Sequence, residues 1–434
     1  MSGSPDPSPL ASDGPGFRRR DLALASWGLF VGLALVMLAG GLFATLLGVR
    51  SERTGLPTAV SSLISASYYL GFLVGSRATL RGLGKVGHIR VYSALASLLA
   101  AAMVGVGITE SPVAWSLLRL VTGMCTAGLY VVAESWLNDL ASNSNRGRLL
   151  AVYGVVTTAF FGLGQIVLFT FNPLAVTGFA VAAIITSLAV APVALSEAAV
   201  APNLEEAEDI SLRELSRVVP TGVFSCLLVG IAHGATYGMA AIYATRVGLT
   251  TAQIGLFVAL PGVGGVLLQW PISAASDDLD RRAVGVAAAA GAAGVASLLL
   301  LGSPQRPMAF VLVALLGGLS FPLYSIVGAY TNDWVAPEHL NAAASQLVTL
   351  YGMGAVFGPF VAAGAMIAVG PTGFLWALVG LHAAVALFFC YRMLAWRSPL
   401  VKRPWGEISL PARAFFVPAT IIAFGLRRGR RRDA

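Results

Sequence analysis

The chain has 434 residues, of which 57% are apolar and only 11% charged, with a formal net charge of +8. Soluble domains carry roughly 25% charged residues, so this composition and a mean hydropathy of +0.79 exclude a chain that hides its apolar surface in water. Cys125, Cys226 and Cys390 are too few and scattered for a disulfide framework or a metal cluster, and read as small buried apolar residues.

In chain order, residues 1–21 are a polar segment ending in Arg18, Arg19 and Arg20, expected to be disordered. The apolar run behind them is too long for a signal peptide. Hydrophobic runs of about 20 to 28 residues follow, each long enough to cross roughly 30 Å of hydrocarbon as a helix. The expected spans are 22–48, 57–80, 88–109, 112–138, 147–171 and 175–196, then 219–246, 251–275, 283–302, 307–331, 340–369 and 373–395. None shows the alternation of a barrel strand, and helices satisfy their own backbone groups in lipid. The reading is an all-α integral membrane protein of two six-helix bundles, 22–196 and 219–395. An acidic linker, 197–218, joins them, with Ser211 and Glu214 placed to cap a short surface helix. Residues 396–434 form a basic tail whose apolar stretch before Arg427–Arg432 suits an interfacial anchor on anionic lipid.

Charge sets the topology. Of 28 Lys and Arg, 23 fall on the side that holds both termini, so both ends are expected in the cytoplasm, which requires an even number of spans. The basic balance therefore reads as topology and lipid contact, not nucleic-acid binding. An internal echo supports duplication: Leu129-Tyr130 and Asn138-Asp139 return as Leu323-Tyr324 and Asn332-Asp333, each 194 residues on. Parallel repeats around a midplane site recur among secondary transporters.

The junction after span eight, Ser273 to Arg282, resembles the cytoplasmic loop signature of the major facilitator superfamily, Gly-x-Leu-x-Asp-Arg-x-Gly-Arg-Arg. Asp277, Arg281 and Arg282 are in register, while Ser273 and Asp280 replace the glycines. A carboxylate there can hold a neighbouring helix N-terminus and the arginines can pair with acids, biasing a gate. The matching first-half junction, Leu83 to Arg90, has Gly84 where the acid should stand. Gate control is therefore expected from Asp277, Arg281 and Arg282, with Glu134, Asp139 and its echo Asp333 set against Lys85, Arg90 and Arg146. Asn145-Arg146-Gly147-Arg148 after Glu134 resembles the superfamily's Glu…Arg-Gly arrangement.

Within span four, Arg119-Leu120-Val121-Thr122-Gly123 resembles the family's Arg-x-x-x-Gly motif, associated with proton coupling. An arginine in the membrane costs about 2.5 kcal/mol or more, so Arg119 is read as a coupling or anionic-substrate residue, with a structural hub or a snorkelling side chain as alternatives. Glu134 or His233 would carry a coupled proton. Ser65, Tyr68, Gln165, Tyr237, Gln269, Tyr324 and Gln346 are the candidates to line the cavity, each as readily a helix-to-helix hydrogen bond. Together with Ala133-Glu134-Ser135-Trp136 and Gln269-Trp270-Pro271, the pattern over residues 22–395 resembles a bacterial branch of that superfamily, the YcaD-like transporters.

That resemblance implies a twelve-helix fold in a bacterial cytoplasmic (inner) membrane. It also implies transport of a small solute, read as alternating access, with uptake or efflux open and proton coupling open beside uniport; a monomer is expected, on no sequence signal of its own. No metal or other cofactor and no enzyme activity are expected, since the four histidines form no cluster. A receptor or scaffold would need a large soluble domain to signal through.

Overall fold

A computed structural model describes residues 19–140, 146–196, 210–336 and 339–395. Among them, twelve helices are long and apolar enough to cross a membrane. In the first half these are α1 (Arg19–Arg53), α2 (Thr58–Val86), α3 (His88–Ile108), α4 (Pro112–Leu140) and α5 (Arg146–Val167), then α6 (Thr177–Ala194). The second half has α7 (Pro220–Arg246), α8 (Thr251–Asp278), α9 (Arg281–Leu301), α10 (Pro307–Trp334), α11 (Leu340–Val369) and α12 (Gly373–Ala395). Leu70, Leu188, Leu267, Leu298, Ile367 and Leu387 point outward, a surface that suits lipid and that water would not tolerate.

Glycines set the helix crossings, and they do so twice. A Cβ on Gly71 or Gly123 would run into the backbone of the facing helix where α2 crosses α4, and one on Gly264 or Gly317 would do the same where α8 crosses α10. Likewise Gly41 and Gly164 bring α1 onto α5, as Gly234 and Gly358 bring α7 onto α11. Matched positions lie 193 residues apart in the leading helices (Gly41 and Gly234, Gly71 and Gly264) and 194 apart in the later ones (Gly123 and Gly317, Gly164 and Gly358). The echo read at Leu129 and Leu323 is therefore one part of a repeat that runs through the whole architecture. Small residues at these points let backbones touch, which is what holds helices together where lipid gives no hydrophobic drive.

Across the interface between halves, α2 meets α11, α5 meets α8 and α1 meets α7. The structure differs from the expected boundaries mainly at helix ends, because tertiary contacts carry helices past their apolar runs. The first span, expected to stop at 48, reaches Arg53. Arg50 is buried there, donating from Nη1 to the Gly107 carbonyl at 2.9 Å and lying over Trp115 at 5.4 Å and Phe179 at 5.2 Å. The span expected from 283 begins at Arg281, because the Asp280 carboxylate caps it, accepting from Arg282 N at 2.9 Å.

In the linker a short helix, Leu212–Val218, starts at Ser211, whose hydroxyl accepts from Glu214 N at 3.2 Å. Gln346, expected in the cavity, instead donates to the Ile210 carbonyl at 3.0 Å and ties the linker to α11. The basic tail and the acidic residues 197–209 lie outside the described residues.

The crossings supply a stability test. Gly264→Ala places a methyl against the Ala314 backbone, whereas Gly294→Ala on α9 meets nothing within 4 Å. The first should cost about 1 to 3 kcal/mol by overpacking. The second should be neutral, or stabilise by about 0.5 to 1 kcal/mol through helix propensity. Thermal unfolding of the purified variants in detergent reads both, and equal midpoints would sink the crossing argument.

Candidate functional site

Between the halves, tyrosines converge from both sides. On the first half, Tyr68 and Tyr69 of α2 pack edge to face at 5.5 Å, Phe72 lies 6.2 Å from Tyr130 of α4, and Tyr130 lies 6.5 Å from Tyr153 of α5. Opposite them, Tyr237 of α7 stacks on Phe321 at 5.1 Å and Tyr324 of α10 meets Tyr351 of α11 at 4.9 Å. The two sets face each other, since Ser65, a turn before Tyr68 and Tyr69, bonds to Gly238 beside Tyr237, and Leu73 lies against Gly352 beside Tyr351. The expected Tyr68, Tyr237 and Tyr324 are thus brought together. Tyr69, Tyr130, Tyr153 and Tyr351 were missed, although Tyr130 is the echo partner of Tyr324 and carried that signal.

Other candidates divide between seam and scaffold. The Ser65 hydroxyl crosses between halves to the Gly238 carbonyl at 2.9 Å. Gln165 is buried where α5 meets α8, its carbonyl against Gly255. Gln269 stays inside the second half, donating to Ser325 at 2.8 Å and Ser273 at 3.1 Å, so it serves the α8–α10 contact and does not line the centre.

His233 belongs to a closed hydrogen-bond chain. Its Nε2 approaches the Ser320 carbonyl at 3.1 Å and its Nδ1 the Tyr351 hydroxyl at 2.9 Å. A carbonyl only accepts, so Nε2 carries the proton and Nδ1 accepts from Tyr351. His382 donates from Nδ1 to the Leu378 carbonyl at 2.7 Å, leaving Nε2 to accept from the Ser320 hydroxyl at 2.8 Å. This is a complete set of bonds for two neutral imidazoles, anchored where α10 is interrupted at Phe321.

On the side of the termini the second-half charges assemble as a tight cluster. Arg281 Nε donates to Asp333 at 2.7 Å and Nη1 to Asp277 at 3.1 Å, with Arg281 and Asp333 side chains 1% and 0% exposed. Arg282 pairs with Asp280 at 2.8 Å and donates to the Arg392 carbonyl at 3.1 Å, closing the end of α12. The first half repeats this weakly. His88, 193 residues before Arg281, meets Asp139 at 3.6 Å and Ser135 at 3.0 Å. Asp139 therefore faces His88, not Lys85 or Arg90, which are exposed and make no ion pair among the described residues. Glu134 is buried and accepts from the Tyr153 hydroxyl at 3.2 Å. The Arg146 side chain lies outside the described residues.

The far side holds an ion pair that sequence reasoning did not single out. Arg246, ending α7, grips Glu52 near the end of α1 at 2.6 and 2.8 Å and reaches Thr58 at 3.1 Å. Its repeat mate Arg53 reaches Thr251 at 3.4 Å. Thr58 and Thr251 are themselves 193 residues apart, so the two bonds are related by the internal twofold. All described ion pairs on the other side stay within one half; Arg77 and Thr349 make an exposed contact across it at 3.4 Å. The signal available was faint: Glu52 and Arg246 are among the few charges on that side.

The family model of the Major Facilitator Superfamily matches residues 222–430. An uncharacterized MFS-type transporter, YcaD, of Salmonella newport (strain SL254) is 30% identical over 345 residues, covering 77% of this chain and 87% of the relative. The chain belongs to the major facilitator superfamily. YcaD of Salmonella typhi is similar to the same degree, 30% over 345 residues with the same coverage. Among superfamily structures, the nucleoside transporter NupG superposes with a TM-score of 0.70 at 14% identity, covering 86% of this chain and 100% of that one. A bacterial homolog to the human lysosomal transporter Spinster, in an inward-facing and occupied conformation, gives 0.66 at 13% identity, covering 86% and 98%. These likenesses carry the superfamily fold, and they agree with the twofold repeat of glycine crossings.

Proposed function

We propose that the protein is a secondary carrier that moves a small organic solute across a bacterial inner membrane by alternating access, with both termini in the cytoplasm. The observation that carries this is the twofold-related seam on the far side, Arg246 to Glu52 and Thr58 with Arg53 to Thr251. Such bonds close one mouth by joining two rigid halves, while the cytoplasmic ion pairs brace each half internally. In this state the carrier is sealed toward the periplasm, and the tyrosine-lined centre is the solute site. Rocking of the halves then requires breaking a few charge-assisted hydrogen bonds, an energy scale that a bound solute can offset. The basic tail adds anionic-lipid attachment, and a single chain holds the whole pathway.

The Arg281–Asp277–Asp333 cluster and Glu134 act as braces of the cytoplasmic gate. Proton coupling and uniport differ in one measurement. In proteoliposomes, accumulation of a solute above equilibrium that vanishes when the pH gradient is collapsed supports coupling. Saturable equilibration that ignores the gradient supports uniport. If solutes that raise the melting point of the protein show no saturable flux in either condition, the carrier reading fails.

A further inference from the structure

Resting on that carrier reading, we propose that the solute is an organic anion with an aromatic body, its carboxylate held by Arg119 and its ring by the neighbouring tyrosines. Arg119 lies seven residues from Pro112 at the start of α4, about 10 Å into the membrane. Its guanidinium sits 4.3 Å from the Tyr68 ring centroid and 5.6 Å from that of Phe43. Of its side-chain donors, Nε is buried without a hydrogen-bond partner, and among the described residues the guanidinium makes no ion pair. A buried donor left open is costly, so it marks a position where something absent from the chain completes the bonding.

Among the described residues no acid forms an ion pair with it. Glu52 is held by Arg246, Asp277 and Asp333 by Arg281, Asp280 by Arg282, and Asp139 by His88. Glu134 is fifteen residues further along α4, about 22 Å away. Nor does the fold need a cation there. The crossing beside it pairs Leu120 with Ala314 in the repeat, which carries Arg119 onto Val313, a buried apolar residue. One half does without the charge, so its presence in the other is not a requirement of packing.

Location and chemistry then define the ligand. Tyr68 is one turn from Ser65, the residue bonded across to Gly238, so Arg119 opens on the seam where the halves separate. A planar guanidinium favours a bidentate carboxylate, and the positive charge repels a cation. Tyr68, Tyr69, Phe72 and Tyr130 form a continuous aromatic wall beside it, suited to a ring packed edge to face.

The test compares 2-naphthoate with the isosteric 2-naphthamide, titrated by tryptophan fluorescence into the full-length protein in lipid nanodiscs. Wild type should bind the carboxylate at least tenfold more tightly than the amide. Arg119→Gln should lose that preference while keeping the amide affinity, which shows the aromatic wall intact, and Arg119→Lys should retain part of it. Equal wild-type affinities, absence of binding by either probe, or a carboxylate preference that persists in Arg119→Gln would each overturn the proposal. Should Arg119→Gln fail to fold, the wild-type ratio and Arg119→Lys decide, an undiminished preference in the lysine variant counting against a bidentate site. Binding needs no transport, so a carboxylate preference without saturable flux would sink the carrier reading and leave Arg119 as an anion-binding site only.

Discussion

Arg281→Met should destabilise the protein by about 3 to 5 kcal/mol, because it takes the ion-pair partner from a buried carboxylate, Asp333, whose side chain is 0% exposed. Arg281→Met combined with Asp333→Leu should recover part of that loss, since apolar groups replace the most buried pair while Asp277, 9% exposed, still loses its bond to Arg281. The repeat supplies an internal control. Asp139→Asn removes the charge from the equivalent first-half contact, but that contact is 3.6 Å long and Asp139 is 37% exposed, so the cost should stay below about 1 kcal/mol. Unfolding midpoints in detergent read all three variants. If Arg281→Met falls within 1 kcal/mol of wild type, the cluster is not the brace described.

Under the proposed alternating-access cycle, Glu52→Gln should shift the protein toward its periplasm-open state about 5- to 30-fold. Arg246 then loses its ion pair across the seam and one of its two bonds to Glu52, at 2.6 and 2.8 Å, since a carboxamide offers a single acceptor oxygen. Both side chains are partly solvated, at 23% and 17% exposure, so the expected bias is about 1 to 2 kcal/mol, less than a fully buried pair would give. A cysteine at Ser65, placed in a chain with Cys125, Cys226 and Cys390 replaced, reports the change, since its hydroxyl lies on the cross-half contact. Labelling from the periplasmic face by a membrane-impermeant maleimide should rise by that factor in Glu52→Gln. It should rise less in Arg53→Gln, whose bond to Thr251 is 3.4 Å and exposed. Unchanged labelling in Glu52→Gln would remove the seam from the gating cycle.

Much of the architecture was legible along the chain. Apolar run lengths revealed twelve spans, and the Leu-Tyr and Asn-Asp echo revealed the repeat. The loop signature revealed Asp277, Arg281 and Arg282 as a group, with Asp333 reached through its match to Asp139. Each of these is a one-dimensional signal: a length set by hydrocarbon thickness or a spacing along one helix. The candidate site was less legible. Polar residues in a span look alike in sequence, yet Gln346 holds the linker, Gln269 braces α8 against α10, and Ser65 lies on the seam. Asp139 turned to His88 because α4 ends beside the start of α3, a neighbour that charge alone does not nominate.

By itself, then, the sequence determined a membrane-embedded, duplicated helical chain and which helix ends share a side, because lipid thickness and charge placement act locally on every span. Only the tertiary structure decided which charges meet. Glu52 and Arg246 are 194 residues apart, and Arg119 Nε is left without a hydrogen bond while its repeat position carries valine. The reason is rotational: a helix presents different side chains as it turns, and its rotation is set by glycine contacts with helices far away in the chain.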